Sequence, residues 1–435
     1  MGHIVNSDRE YRLLRERLDR NVTGAPDSPA LTRILRLLFS PEEAELARRI
    51  PGSPTPLEDL SRKLGIPADR LGEKMTDMAR RGLVVDLEHG GTRYFLLPPV
   101  VIGFFEFTFM RARPDMPMAE LARLFDEYMH QDDRFARSVF RGRTQIGRAL
   151  VREEALPEGD HAEVLDWERA SHLVRSAPAL GVSLCACRHQ ASHVGKACDR
   201  PVETCLTLGH AAKAMIRSGA ARPVTADEAM RIIGRCKELG MAQIGDNVRR
   251  RVTYICNCCR CCCHMVRAVR TYGIREAIVT SNWIMDVDPA LCSGCGECVE
   301  ACPVEAIEIR RMTERSEERR WAVLDETLCL GCGVCRSACA SGALSMRPRA
   351  RKTVPPETVF DRLVTMAVER GKLADLLFDE PERLSHRALG RVLGVLERTP
   401  LFKAAAAVEP LRSVFLNALV KGTKMKAGPL AEELG

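Results

Sequence analysis

The sequence has no long apolar run. Its most apolar stretch, Pro98 to Met110, is interrupted by Glu106 and falls far short of the roughly 20 residues that span a bilayer, so no transmembrane helix is expected. Met1 to Asp8 carry neither an apolar h-region nor a small-residue cleavage site, so nothing suggests export and the chain is expected to be cytoplasmic. No G-x-G-x-x-G opens a strand-to-helix turn and no Walker loop is present, which argues against a dinucleotide cofactor and against nucleotide hydrolysis. No paired carboxylates or nucleophile motif stand out. A strong charge excess is also missing: a formal net charge of +7 over 435 residues does not by itself indicate a nucleic-acid binder.

What the chain has is cysteine. All 19 lie between Cys185 and Cys339. Without an export signal a disulfide framework does not suit a reducing cytosol, and thiols at short spacing are better read as metal ligands or redox groups. The length calls for about three or four domains, and a hydrophobic fraction of 46% can build their cores. The expected class is α+β and multidomain: a small helical unit with a hairpin over 30–110, a helical cysteine-rich unit over 119–280, a two-cluster module over 283–347 and a helical region over 357–425.

In the first of these, Ser40-Pro41-Glu42-Glu43 places a cap, a proline at the first helical position and a glutamate at the third, and Thr55-Pro56-Leu57-Glu58 repeats the arrangement. Leu57, Leu60 and Leu64 form one stripe that stops near Gly65, and Leu71, Met75 and Met78 form the next. Two runs, Leu83 to Leu87 and Thr92 to Leu96, flank His89-Gly90-Gly91 as in a hairpin. Together these resemble a winged-helix domain. Such a resemblance allows DNA binding but allows protein docking equally. The helix that would read DNA carries Arg70, Lys74, Arg80 and Arg81 against Asp69, Glu73 and Asp77, a nearly balanced set where a phosphate-tracking surface is one-sided. Docking is therefore the preferred expectation, with DNA as the alternative partner.

Cys292, Cys295, Cys298 and Cys302-Pro303 follow C-x2-C-x2-C-x3-C-P, and Cys329, Cys332, Cys335 and Cys339 repeat the spacing. Three thiolates two residues apart wrap a loop round one face of an iron–sulfur cube, and the fourth is carried to the other cube. This assigns Cys292, Cys295, Cys298 and Cys339 to one [4Fe-4S] cluster, and Cys329, Cys332, Cys335 and Cys302 to a second. A zinc ribbon would instead want two C-x2-C knuckles around a spacer. The surroundings resemble bacterial-type two-cluster ferredoxins over about sixty residues, including Asp288-Pro-Ala-Leu before the first run and Glu305-Ala-Ile-Glu-Ile after it. Ala340 departs from the proline that commonly follows the last cysteine in that family, at the cost of a turn restraint but of no ligand.

Eleven cysteines remain. Cys236 stands alone in a helical context and reads as an inert core thiol. The other ten form two groups, Cys185, Cys187, Cys198 and Cys205, then Cys256, Cys258, Cys259, Cys261, Cys262 and Cys263. Cys256, Cys259 and Cys262 keep the three-ligand spacing, but Cys258 and Cys261 are two residues apart as well, and on a helix Cys258, Cys261 and Cys262 would share a face. The register stays open. So does the role of the first group, which could complete a four-thiolate site or serve the second group. The readings are one or two further iron–sulfur clusters, a zinc site, or reduced thiols for disulfide exchange. His189, His193, His210 and His264 lie nearby but are read as surface or hydrogen-bonding residues, and Arg188 and Arg260 would offset thiolate charge. Cys185 to Arg188, Pro201 to Cys205 and Ile255 to Cys259 resemble segments of anaerobe iron–sulfur proteins that precede a two-cluster ferredoxin module. The resemblance implies a redox role.

The functional expectation is an anaerobic electron carrier or electron-transferring subunit that relays single electrons through the two [4Fe-4S] clusters between a donor protein and either another enzyme or a third cluster held by Cys185 to Cys263. The alternatives are a redox-responsive DNA-binding regulator and an oxidoreductase acting on a small molecule at the second cysteine constellation.

Overall fold

The computed structural model describes residues 7–156, 166–314, 317–379 and 384–399. The amino-terminal helices α1 (Ser7–Asp19), α2 (Pro29–Leu38) and α3 (Pro41–Arg49) pack through apolar stripes that include Leu14, Ile34 and Ala47. α3 begins with a complete capping box between Ser40 and Glu43, which satisfies two of the amide groups a helix start leaves free. The chain continues through β1 (Thr55–Pro56), α4 (Leu57–Leu64), α5 (Ala68–Arg80), β2 (Val85–His89) and β3 (Thr92–Leu96), the strands forming an antiparallel sheet of order β1-β3-β2. α4 ends at Gly65 in the left-handed region, as the leucine stripe predicts. The expected cap at Thr55 does not form. Thr55 is drawn into strand pairing with Phe95, and its hydroxyl donates to the Ser53 carbonyl instead.

The apolar stretch after Pro98 becomes an irregular segment and α6 (Phe105–Phe109), with Phe105 and Phe109 buried against Phe125 of α7 (Met118–His130). α8 (Arg134–Val139) follows.

The 119–280 region, expected to be helical, contains a six-stranded sheet. β4 (Gly147–Ala149), α9 (Ala170–Ser176), β5 (Leu180–Leu184), α10 (Ala186–His193), β6 (Glu203–Leu208), α11 (Gly209–Arg217), β7 (Arg222–Pro223), α12 (Ala226–Glu238), β8 (Ala242–Asp246), β9 (Tyr254–Cys258) and α13 (His264–Tyr272) come in that order. The sheet runs β4-β8-β9-β6-β5-β7 and every pairing is antiparallel. Its strands have two to six residues, too short to declare themselves by alternation alone, and they are held by their neighbours across the sheet. One face buries Val182, Leu206 and Ile255 against Val174 of α9 and Ile233 of α12. Alternation along β6 and β9 turns Cys205, Cys256 and Cys258 to the other face.

The dicluster segment is laid against this sheet. β10 (Trp283–Val287) pairs with β13 (Leu344–Pro348), and between them stand α14 (Glu297–Ala301), the hairpin β11 (Ile307–Glu314) and β12 (Glu317–Leu324), and α15 (Val334–Ser337). α16 (Val359–Arg370), α17 (Leu373–Leu377) and α18 (Leu384–Arg398) close the described chain; residues 380–383 and 400–425 of the region expected to be helical lie outside the described residues. α16 returns to the sheet, where Arg362 pairs with the buried carboxylate of Asp246, and Arg370 donates to the Val22 carbonyl at 2.8 Å. A single apolar core therefore runs from Leu14 through Phe105 and Trp283 to Leu373.

Candidate metal centres

The nineteen cysteines are all free of disulfides, and eighteen of them gather into four groups. In the dicluster segment the thiols of Cys292, Cys295 and Cys339 surround that of Cys298. Cys335 is surrounded by Cys332, Cys329 and Cys302, with Cys298 of the first group next. The four thiols of the second group enclose a cavity of about 20 Å³. The fourth cysteine of each run thus sits with the other run, because α14 and α15 carry it away from its own loop. Cys295 is exposed, whereas Cys302, Cys329, Cys332 and Cys335 are buried, so the first group faces outward and the second faces the sheet.

Several features suit these groups to iron–sulfur cubes. Each offers four sulfur donors, and the loops aim backbone amides at them: the Ala322 N–H donates to Cys292 Sγ at 3.3 Å and the Ala306 N–H to Cys302 Sγ at 3.2 Å. Such N–H···S bonds stabilise thiolates and tune cluster potentials. Gly331 adopts φ +70°, and a Cβ there would collide with the Trp283 carbonyl and the Ser281 hydroxyl. Cations stand by: Arg152, whose amide donates to the Cys332 carbonyl at 3.1 Å, and Arg349, which donates to the Cys329 carbonyl at 2.6 Å. Burial pushes the Cys332 thiol up to about 12 and the Cys298 thiol up to about 11, so both would be protonated thiols unless a cation bound them.

The third group is Cys198, Cys259, Cys261 and Cys262, whose sulfurs all lie within 4.8 Å of one another. Cys198 comes from the loop after α10, and the other three from the turn between β9 and α13. This turn is neither helical nor built on the 256/259/262 spacing. Strand, turn and helix follow in sequence, and the register that spacing left open is resolved by placing Cys256 on the strand and Cys259 and Cys262 in the turn. Nor do Cys185, Cys187, Cys198 and Cys205 form one site, since Cys198 parts from the other three. Cys261 is exposed while Cys259 and Cys262 are buried, so this group reaches the surface at one corner. The loop of Cys198 is held by Lys196, which pairs with Asp126 of α7 at 2.7 Å while its carbonyl accepts from Cys262 Sγ at 3.9 Å.

The fourth group is Cys185, Cys187, Cys205, Cys256, Cys258 and Cys263. Cys185 and Cys263 sit at the starts of α10 and α13, and Cys205 and Cys256 face each other across the register that puts Leu206 opposite Ile255. Cys263 Sγ is 3.3 Å from Cys258 Sγ. Neighbouring thiols are within hydrogen-bonding reach all along the series Cys185, Cys187, Cys263, Cys258, Cys256, Cys205. They form one wall of a cavity of about 390 Å³ whose other walls are mostly apolar and include Ile102, Phe105, Met129, Phe140 and Leu363.

Sequence reasoning missed Glu106, the carboxylate that interrupts the apolar stretch. It lines this cavity, accepts from the Gly103 N–H at 2.7 Å, and burial raises its pKa to about 8. A lone carboxylate in an otherwise apolar run was the available signal. His264 also lines the cavity and is half-buried; its Nδ1 is 3.0 Å from His130 Nε2, and its buried Nε2 has no hydrogen-bond partner. His189 and His193 pair with each other at 3.2 Å, and His189 Nδ1 meets the Phe109 carbonyl, which accords with the hydrogen-bonding role expected of them. Cys236 is buried in α12 and belongs to none of the four groups; burial lifts its pKa to about 11.

Residues 291–353 match the family model of the 4Fe-4S dicluster domain. The match points to 4Fe-4S cluster binding by that segment. It contains both tandem runs, so the iron–sulfur character read from their spacing stands on the family match as well as on the grouping of the thiols. Among curated proteins and solved structures the chain has no significant match, and the dicluster domain covers neither the third nor the fourth group. No described helix is long and apolar enough to cross a membrane.

Proposed function

We propose that the chain is an iron–sulfur electron-transfer protein in which two [4Fe-4S] clusters of the dicluster domain exchange electrons with a further cluster held by Cys198, Cys259, Cys261 and Cys262. The observation that carries this reading is the convergence of those four thiols within 4.8 Å, on a turn fastened to the dicluster domain. Arg260, between Cys259 and Cys261, donates to the Glu300 carbonyl at 2.8 Å and to the Glu305 carboxylate at 2.7 Å. Clusters of this kind, when bound, pass one electron at a time. The exposed Cys295 corner is the natural face for a redox partner protein, and the buried Cys302 group then leads inward.

The amino-terminal unit is read as a winged helix used for docking within the chain. Its hairpin β2–β3 is spent on α11, where Leu87 and Tyr94 pack against Ala214 and Arg217 donates to the Asp86 carbonyl and the Glu88 carboxylate, both at 2.8 Å. A wing occupied in this way is not available to a duplex, which favours docking over DNA recognition.

The deciding measurement is iron and acid-labile sulfide per chain on anaerobically purified protein, with EPR of the reduced form. About twelve irons or more supports a third cluster, and about eight would leave the dicluster domain alone and overturn it. Cys261→Ser, at the exposed corner, is expected to remove about four irons.

One observation favours a second reading. The cavity of about 390 Å³ opens beside six thiols, room enough for a small molecule, as in an oxidoreductase that uses the relayed electrons itself. A change in the EPR signal when a candidate substrate is added would support it, and silence across reduced candidates would count against it.

A further inference from the structure

Four sulfurs complete one cube, because each of its four irons needs a single terminal ligand beyond three shared sulfides. The fourth group holds six: two more than one cube needs and two fewer than a pair of independent cubes. Two four-iron units joined through one bridging sulfide need six terminal thiolates, three on each unit.

We propose that Cys185, Cys187, Cys205, Cys256, Cys258 and Cys263 together hold one iron–sulfur cluster of about eight irons, larger than a cube. This deepens the iron–sulfur reading above and rests on it.

Three observations beyond the count support it. The first is space. The four thiols of the buried dicluster group enclose about 20 Å³, whereas the six border about 390 Å³. A thiol cage shaped for one cube has no need of a cavity on this scale.

The second is charge. Arg188 is fully buried, and its guanidinium donates to the Pro201 carbonyl at 2.9 Å, the Asn257 carbonyl at 3.0 Å and the Thr204 hydroxyl. Among the described residues no carboxylate pairs with it. A buried cation needs a nearby anion, and Arg188 follows Cys187 on α10 and bonds to the carbonyl of Asn257, which stands between Cys256 and Cys258. An anionic cluster beside it would supply that charge.

The third is an orphaned donor or acceptor. His264 Nε2 is buried against the cavity without a partner, and buried polar atoms are rarely left so. A sulfide-rich cluster or a molecule bound beside it would provide one.

The test is a cluster inventory by anaerobic native mass spectrometry and Mössbauer spectroscopy on the full chain, which needs no variant. About twenty irons are expected: eight in the dicluster domain, four in the third group and eight here. About sixteen, of which Cys261→Ser and Cys258→Ala each remove about four, would mean an ordinary cube with two idle thiols, and would overturn the proposal. About twelve would mean that the six hold no iron, overturning it while leaving the electron-transfer reading intact; about eight would overturn both. As a second arm, Cys258→Ala is expected to lose about eight irons and Cys261→Ser about four, with the dicluster EPR signals kept in each. Loss of only about four irons from Cys258→Ala would also refute the larger cluster.

Discussion

Arg260 reaches from the turn that carries Cys259 and Cys261 to the carboxylate of Glu305, at 2.7 Å, and Arg270 of α13 meets the same oxygen at 2.5 Å. Glu305 follows Cys302 by three residues, so this pair joins the third thiol group to the dicluster domain at the point where electrons would cross.

Replacing Arg260 with alanine should therefore disturb transfer more than folding. Both partners are partly exposed, and such pairs are worth about 1 kcal/mol or less. The expected result is unchanged iron content with several-fold slower electron exchange between the dicluster domain and the third group, read by rapid-mixing spectroscopy. Glu305 is held below the ordinary carboxylate range, first by its hydrogen bond from Arg270 and then by that from Arg260. Its contribution is complete above a pH of about 4.3 and is lost as pH falls through the lower native value. The Arg260→Ala effect on rate should accordingly shrink in acid.

Cys295→Ser should damage one dicluster cube, lowering iron by about four per chain, while the amino-terminal unit stays folded. Iron analysis with limited proteolysis checks both halves of this. An unchanged iron content would mean that Cys295 is not a ligand.

Two glycines separate backbone strain from steric collision. Gly331 and Gly296 both have positive φ, +70° and +90°, but a Cβ at Gly296 meets nothing within 4 Å, whereas one at Gly331 strikes the Trp283 carbonyl. Gly296→Ala should cost about 1 kcal/mol, and Gly331→Ala about 2 to 4 kcal/mol with reduced cluster incorporation. Thermal unfolding of the anaerobic proteins, alongside their iron content, gives the comparison.

Asp126 should set part of the acid limit of the third group. It is held well below the usual carboxylate range by His130, against a burial term of opposite sign and with help from Lys196. A depressed native pKa means that its stabilisation is present above the unfolded value of about 3.9 and disappears as pH falls through the native one. Asp126→Asn should therefore flatten the stability profile below pH about 4 and loosen the Cys198 loop, seen as faster iron loss to a chelator.

Much of this was legible in the residues because the relevant geometry is local. The Ser40 box, the stop at Gly65, the His89-Gly90-Gly91 turn and the two tandem cysteine runs each depend on residues a few positions apart. Thr55 shows the limit: its sequence matches a cap as well as Ser40 does, yet strand pairing with Phe95, forty residues on, claims it. The sheet over 147–258 was missed for the same reason, since strands this short owe their stability to partners far along the chain.

By itself the sequence pointed to a 4Fe-4S dicluster segment, because the two tandem C-x2-C-x2-C runs are local patterns that need no knowledge of the rest of the fold. Only the tertiary structure decided how the other ten divide. Cys198 joins a turn some sixty residues later, and Cys205 finds Cys256 through the pairing of β6 with β9. Adjacent cysteines part company there because a strand, a turn and a helix start point neighbouring side chains in different directions, and no spacing rule written along the chain contains that choice.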